Sequence, residues 1–173
     1  MNYQLSDFLF PISDDGPNDY TCVPASFNAV GHWLCVGNTS DSSYLNIPGV
    51  PAREEYLVSV SSLSVNTLGP TGITVNWTAR AGGITMMEPG VRWKGKAGFW
   101  HGGTTYLGPE RSYGTNVSTP VFFSEVWSLN PATDDRWLKT DIATFVLKHK
   151  QTEAPFALPV GQLISLYLAC DTS

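Results

Sequence analysis

Between Ile73 and Arg80 the chain alternates without a break. Ile73, Val75, Trp77 and Ala79 fall on one side, and Thr74, Asn76, Thr78 and Arg80 on the other. Such period-two alternation specifies a strand with one dry face and one wet face. A helix would scatter the same four apolar residues around its circumference. Other short runs repeat the theme. In Glu55–Val65, Tyr56, Val58 and Val60 share one face, and then Leu63 and Val65 share the other. The change of parity near Ser61-Ser62 predicts a bulge or bend. With Leu68-Gly-Pro-Thr-Gly72 as a turn, residues 55–80 are expected to form an antiparallel hairpin.

Asn28–Val36 reads as a first long strand. Ile84–Met87, Val91–Lys94 and Ala97–His101 are short strand candidates, and Val121–Leu129 is a longer one. In Trp137–Lys148 the β-branched residues outweigh a helical spacing of Ile142, Phe145 and Val146, so strand is expected. Gln162–Cys170 is apolar on both faces, which places it centrally in a sheet. Asn130–Asp135 is a turn, Pro48, Gly49 and Pro51 form a rigid connector, and Pro155 and Pro159 flank a loop. Residues 102–116 read as one long loop, and residues 1–20 as an irregular acidic segment. The 16 Gly and 12 Pro suit many turns better than long helices. The expected fold is all-β: an antiparallel β-sandwich or jelly roll of about eight to ten strands, forming a single domain over residues 1–173.

Only 14% of residues are charged, against about 25% in an average domain. The ten Lys and Arg residues are spread out, which argues against direct nucleic-acid binding. Arg92, Lys94 and Lys96 alternate with Val91, Trp93 and Gly95, so on a strand they share a solvated face. No apolar run approaches the ~20 residues of a membrane span, and the first residues lack the pattern of a signal peptide. Cys22, Cys35 and Cys170 do not form a disulfide framework. Cys35 and Cys170 read as buried thiols, with a Cys22–Cys35 bridge as the alternative. Sequons at Asn38, Asn76 and Asn116 are what an Asn/Ser/Thr-rich chain produces by chance.

No Gly-x-Ser-x-Gly elbow is present. His32 and Cys35 would point to opposite faces of the expected strand. Glu88, Glu110 and Glu125 could supply paired carboxylates for hydrolysis, but Glu125 reads as an edge or interface residue. Asp14, Asp15 and Asp19 offer hard oxygen ligands of the kind Ca²⁺ takes, without the alternating ligand pattern of a calcium loop. The acidic loop therefore reads as solvated; no metal and no cofactor are expected. Trp100, His101, Tyr106 and Tyr113 cluster around the expected 102–116 loop. Trp and Tyr are favoured at contacts with sugars and proteins, so these four are the candidate ligand- or receptor-binding residues. His101 would make such binding pH-dependent.

The Thr/Ser/Asn/Gly-rich short strands (Tyr56–Val65, Ile73–Arg80, Val121–Leu129), the Pro-rich loops, the low charge and the apolar strand Leu163–Cys170 together resemble the capsid proteins of small non-enveloped RNA viruses. Complete coat proteins of that kind carry a basic N-terminal arm. Here the first 50 residues contain no Lys or Arg. The resemblance therefore points to a protruding surface domain, noda-like or tetravirus-like, not a shell domain. It implies a non-enzymatic module at the virion surface that self-associates as a dimer or trimer and attaches to a host-cell receptor or glycan. It implies no direct nucleic-acid contact and no membrane insertion. Asn28-Ala29 matches a capsid self-cleavage dipeptide, but it is too common a pair to imply cleavage. A lectin-like carbohydrate-binding sandwich and a glycan or ester hydrolase on a β scaffold are the alternatives.

Overall fold

A computed structural model describes residues 5–16, 18–37, 42–47, 52–81, 93–114, 119–153 and 161–173. Twelve strands appear among them: β1 (Ser6–Leu9), β2 (Pro11–Asp14), β3 (Thr21–Val23), β4 (Tyr44–Asn46), β5 (Ala52–Val58), β6 (Ile73–Arg80), β7 (Trp93–His101), β8 (Thr104–Leu107), β9 (Arg111–Gly114), β10 (Val121–Trp127), β11 (Val146–Glu153) and β12 (Gln162–Asp171). Two short helices, α1 (Trp33–Val36) and α2 (Lys139–Ile142), lie between strands. The first sheet runs β10-β6-β12-β4-β3, with β1 also on β12. The second runs β2-β5-β11-β7-β8, with β9 also on β7. All strand pairs are antiparallel. The fold is an all-β sandwich, as expected.

β6 is the strand its alternation predicts. Ile73, Val75, Trp77 and Ala79 are all fully buried against the second sheet. Trp77 meets His149 at 4.9 Å and Tyr113 at 6.3 Å from the opposite sheet. β12 lies between β6 on one side and β4 and β1 on the other, the central place its apolar composition predicts. A register shift between Leu163 and Ser165 inserts one extra residue. The shift flips the strand's parity, so that Leu163 and then Leu166, Leu168 and Cys170 all reach the core.

Several boundaries differ from the expectations. The described residues hold twelve strands, not eight to ten, because β1 and β2 lie in the expected irregular segment and β8 and β9 in the expected loop. Residues 1–20 are not irregular throughout, since β1 pairs with β12 and β2 pairs with β5. Asn28–Val36 is not a strand. A 3-10 turn (Ala25–Ala29) and α1 replace it, held by Asp14, whose carboxylate accepts from the backbone N–H of His32 and of Trp33, both at 2.9 Å. Residues 55–80 are not a hairpin. β5 belongs to the second sheet and β6 to the first, and the chain crosses the sandwich between them, turning at Ser61-Ser62. The expected 102–116 loop contains β8 and β9, with Gly102 (φ 59°) and Gly103 (φ 88°) making the tight β7–β8 turn. Trp137–Lys148 is not a continuous strand: α2 precedes β11, and Asp141 caps the helix by accepting from the Leu138 N–H at 2.9 Å. Ile84–Met87, Glu88, Arg92, the two proline connectors and the sequons at Asn38 and Asn116 lie outside the described residues. Asn76 is buried within β6, where its Oδ1 accepts from Ser124 Oγ at 2.7 Å.

Candidate functional site

Because side chains alternate across a strand, each sheet has an inner and an outer face. On the second sheet Ala52, Glu54 and Tyr56 of β5, Ala97 and Phe99 of β7, and Leu147 and His149 of β11 point inward and are buried. The residues between them form the outer face: Arg53, Glu55, Leu57, Lys94, Lys96, Gly98, Trp100, Val146, Lys148 and Lys150. Five of the chain's ten Lys and Arg residues lie there (Arg53, Lys94, Lys96, Lys148 and Lys150). That Lys94 and Lys96 share a face follows from their spacing. That β11 adds two more lysines beside them depends on strand order.

Register sets the charges in rows. Lys150 is directly opposite Arg53 on one side and Lys96 on the other. The acids nearby are engaged elsewhere. Glu55 pairs with Lys148 at 2.9 Å, and Glu153 with Lys94 at 2.8 Å. Among the described residues no carboxylate pairs with the side chains of Arg53, Lys96 or Lys150. Two hollows open on this face. One, of about 130 Å³, is lined by Arg53, Thr105, Leu107, Lys148 and Lys150 among others. The second, of about 270 Å³, is lined by Asp15, Glu55, Trp100, Val146 and Lys148. Glu55 and Lys148 line both, so the two hollows adjoin at that ion pair and make a trough from Arg53 and Lys150 to Trp100.

The four aromatic and histidine candidates do not share a surface. Trp100 is 37% exposed on the outer face. Its chain neighbour His101 faces the core, 3.1 Å from Asn130 Nδ2 and 3.8 Å from Asp141 Oδ1. Tyr106 is half-buried and tilts against Phe99 at 5.4 Å. Tyr113 is 1% exposed and donates to Gln151 Oε1 at 2.6 Å. Of the four, Trp100 is the most exposed. The acidic loop is similarly divided. Asp14 holds the start of α1, Asp19 Oδ2 accepts from the Arg53 N–H at 3.0 Å, and Asp15 lines the Trp100 hollow. Glu125 lies on the edge strand β10. It is 4% exposed and makes a two-pronged pair with Arg111 at 2.8 and 3.0 Å. The three cysteines are buried free thiols, and burial pushes the Cys170 thiol up to about 12.

Between the sheets lies a polar cluster that the sequence did not reveal. Fully buried Glu54 accepts from the Tyr20 N–H at 2.6 Å and the Tyr56 hydroxyl at 2.7 Å, and its two oxygens lie 3.1 Å from His32 Nδ1. Burial raises its carboxyl above the ordinary range, although the Tyr56, Tyr20 and His32 bonds oppose the rise. The Tyr20 hydroxyl stands 2.8 Å from His149 Nδ1, and burial lowers His149 to about 3. His149 Nε2 has no hydrogen-bond partner among the described residues. The bonds from Tyr20 to Glu54 and to His149 help to fix one packing arrangement between the sheets.

The first sheet's outer face differs in character. Register aligns Phe8, Ala169, Thr74 and Val126 in a row across β1, β12, β6 and β10. Tyr167, Asn76 and Ser124 form the next row, and Ser165, Thr78 and Phe122 the one after. Arg80 stands at one end and the buried Asp171 at the other, with no Asp, Glu, Lys, Arg or His in the rows between. Phe8, Phe122 and Val126 are each more than half exposed (56%, 55% and 54%). Tyr167 packs beside Phe8 at 5.9 Å and Phe10 at 5.1 Å.

Fold and surfaces together define an antiparallel β-sandwich with one uncharged aromatic face and one face crossed by a row of three cations, Arg53, Lys150 and Lys96. No protein-family model, curated protein or solved structure matches the chain.

Proposed function

We propose that this chain is a non-enzymatic surface module, the protruding domain of a small non-enveloped RNA virus capsid protein. In this reading it self-associates on the virion and attaches to a host-cell receptor. One observation carries the assembly half: the uncharged outer face of β1, β12, β6 and β10, with three large apolar side chains left in water. Apolar surface of that kind gains about 25 cal/mol per Å² when covered. Identical copies can meet there without like-charge repulsion. The face is four strands wide and about seven residues long where β6 and β10 pair, roughly 20 Å by 24 Å. That is a small interface by the standard of specific complexes. It suits a contact reinforced by a larger assembly, and a dimer or trimer is the expected unit.

The attachment half is supported by the opposite face, where Trp100 stands at the rim of a hollow. The same residue also favours the second reading, a carbohydrate-binding sandwich of other origin. A hydrolase gains no support from Glu125, because the Arg111 guanidinium occupies both of its oxygens. Sedimentation equilibrium over a wide concentration range tests the assembly half. A reversible dimer or trimer supports it, and a monomer at every concentration contradicts it.

A further inference from the structure

We propose that the outer face of the second sheet binds an acidic polysaccharide. Arg53, Lys96 and Lys150 take its sulfate or carboxylate groups, and Trp100 lies against a sugar ring farther along the same chain. This inference rests on the attachment half of the proposed function and names the chemistry of the ligand.

Three observations carry it. First, three cations stand side by side in register on adjacent strands, with no carboxylate paired to their side chains among the described residues. Strands lie about 4.8 Å apart, so like charges directly opposite destabilise the sheet. A feature that opposes folding and faces solvent fits a binding role. Second, the row does not stand alone. From Lys150 the trough runs past the Lys148–Glu55 pair to Trp100, which is opposite Val146. Four residues of strand separate the two ends, about 14 Å. A small anion cannot touch both ends, whereas an extended polymer can.

Third, the trough floor distinguishes among polymers. Beside Lys148 in register is Gly98, and one strand farther is Leu107, which lines the smaller hollow. A Cβ on Gly98 would overlap the Tyr106 carbonyl oxygen, so β8 backbone packs over this position and no side chain fits there. Single-stranded nucleic acid is held on sheet faces by aromatic rings among the cations, on which bases stack. No ring lies between Arg53, Lys150 and Lys96. Anions read by charge, with one ring at the end of the trough, fit a sugar polymer.

The test uses the whole chain. It is titrated with heparin (sulfated), polygalacturonate (carboxylated), uncharged dextran and oligothymidylate, at low and at high salt. Binding to heparin, alone or together with polygalacturonate, is expected, with no binding to dextran. Raising salt should weaken it about tenfold or more, as ion release requires. Lys150→Thr is expected to weaken binding about fivefold or more while leaving the melting temperature unchanged or higher. Arg136→Ser removes the same unit of charge away from this face and should leave binding unchanged. Trp100→Ala should weaken polymer binding further. The inference is overturned by no polyanion binding at low salt, by equal losses in the Lys150 and Arg136 variants, or by oligothymidylate binding more tightly than either polysaccharide. Self-association is measured separately. Its persistence without polyanion binding would overturn this inference alone, and polyanion binding by a strict monomer would overturn the assembly reading alone.

Discussion

Lys150 on β11 stands directly opposite two cations at once, Arg53 on β5 and Lys96 on β7. In a sheet the cross-strand pair is the unit of stabilisation, and this unit has the wrong sign twice. Lys150→Thr removes both repulsions and places a β-branched residue in the strand. The expected gain is about 0.5–1 kcal/mol, or roughly 1–4 °C in melting temperature. Thermal unfolding at low salt measures it, and the gain should shrink as salt screens the row. A lower melting temperature in the variant would contradict the register.

His149 gives the fold an acid limb. The unfolded chain takes up a proton at this residue near pH 6.5, whereas the folded state resists until about 3. The stabilisation is therefore complete above about 6.5 and is lost as pH falls toward about 3. The slope is about 1.4 kcal/mol per pH unit, or about 2 kcal/mol by pH 5. Glu54 acts in the opposite direction. Its raised carboxyl stabilises the fold below about 4.5 and loses that contribution as pH rises through its folded value. Denaturant titrations from pH 7 to pH 5 should show a net loss in the parent chain. His149→Gln should abolish or reverse that trend, and an unchanged trend would show that His149 is not its source.

Arg111→Ala should cost about 2 kcal/mol, because it leaves the 4%-exposed Glu125 carboxylate unpaired. The half-exposed Arg111 side of the pair keeps the cost below that of a fully buried one. Arg111→Leu with Glu125→Leu should recover most of the loss, since an apolar pair strands no charge. Urea unfolding of Arg111→Leu, Glu125→Leu and the double variant provides the cycle. Additive losses would mean that the two residues do not act as a pair.

Gly98→Ala tests the β7–β8 contact. The added Cβ would meet the Tyr106 carbonyl oxygen and lie 2.8 Å from the Leu107 Cα, both backbone atoms of the neighbouring strand. Backbone cannot rotate away as a side chain can, so β8 must separate from β7. The expected cost is about 3 kcal/mol, at the upper end of overpacking losses. Amide exchange should show β8 losing protection first.

How much of this was readable depended on where each constraint resides. β6 and β12 were legible because their constraint is local: alternation in one, apolar residues on both faces in the other. β8 was also locally marked, since Gly102-Gly103 is a two-residue hairpin signal, but the many glycines around it blurred it into loop. Asn28–Val36 could not be read, because the carboxylate that holds α1 comes from Asp14, 18 residues earlier in the chain. The 55–80 hairpin failed for a related reason: a turn looks the same whether it joins strands within a sheet or across a sandwich. Trp100, His101, Tyr106 and Tyr113 are close in sequence, but the pleat and the β7–β8 turn send them to different places. The cationic row has the opposite character. Arg53, Lys96 and Lys150 are 43 or more residues apart in sequence and meet only through the order β5-β11-β7.

The central claim is that the uncharged face of the first sheet joins copies of this chain. Its most direct test is sedimentation velocity of the parent chain beside the Phe122→Lys, Val126→Lys double variant, with thermal unfolding to confirm that both are folded. The account predicts a concentration-dependent dimer or trimer for the parent chain and a monomer of equal melting temperature for the variant. Identical sedimentation of the two folded proteins would contradict it.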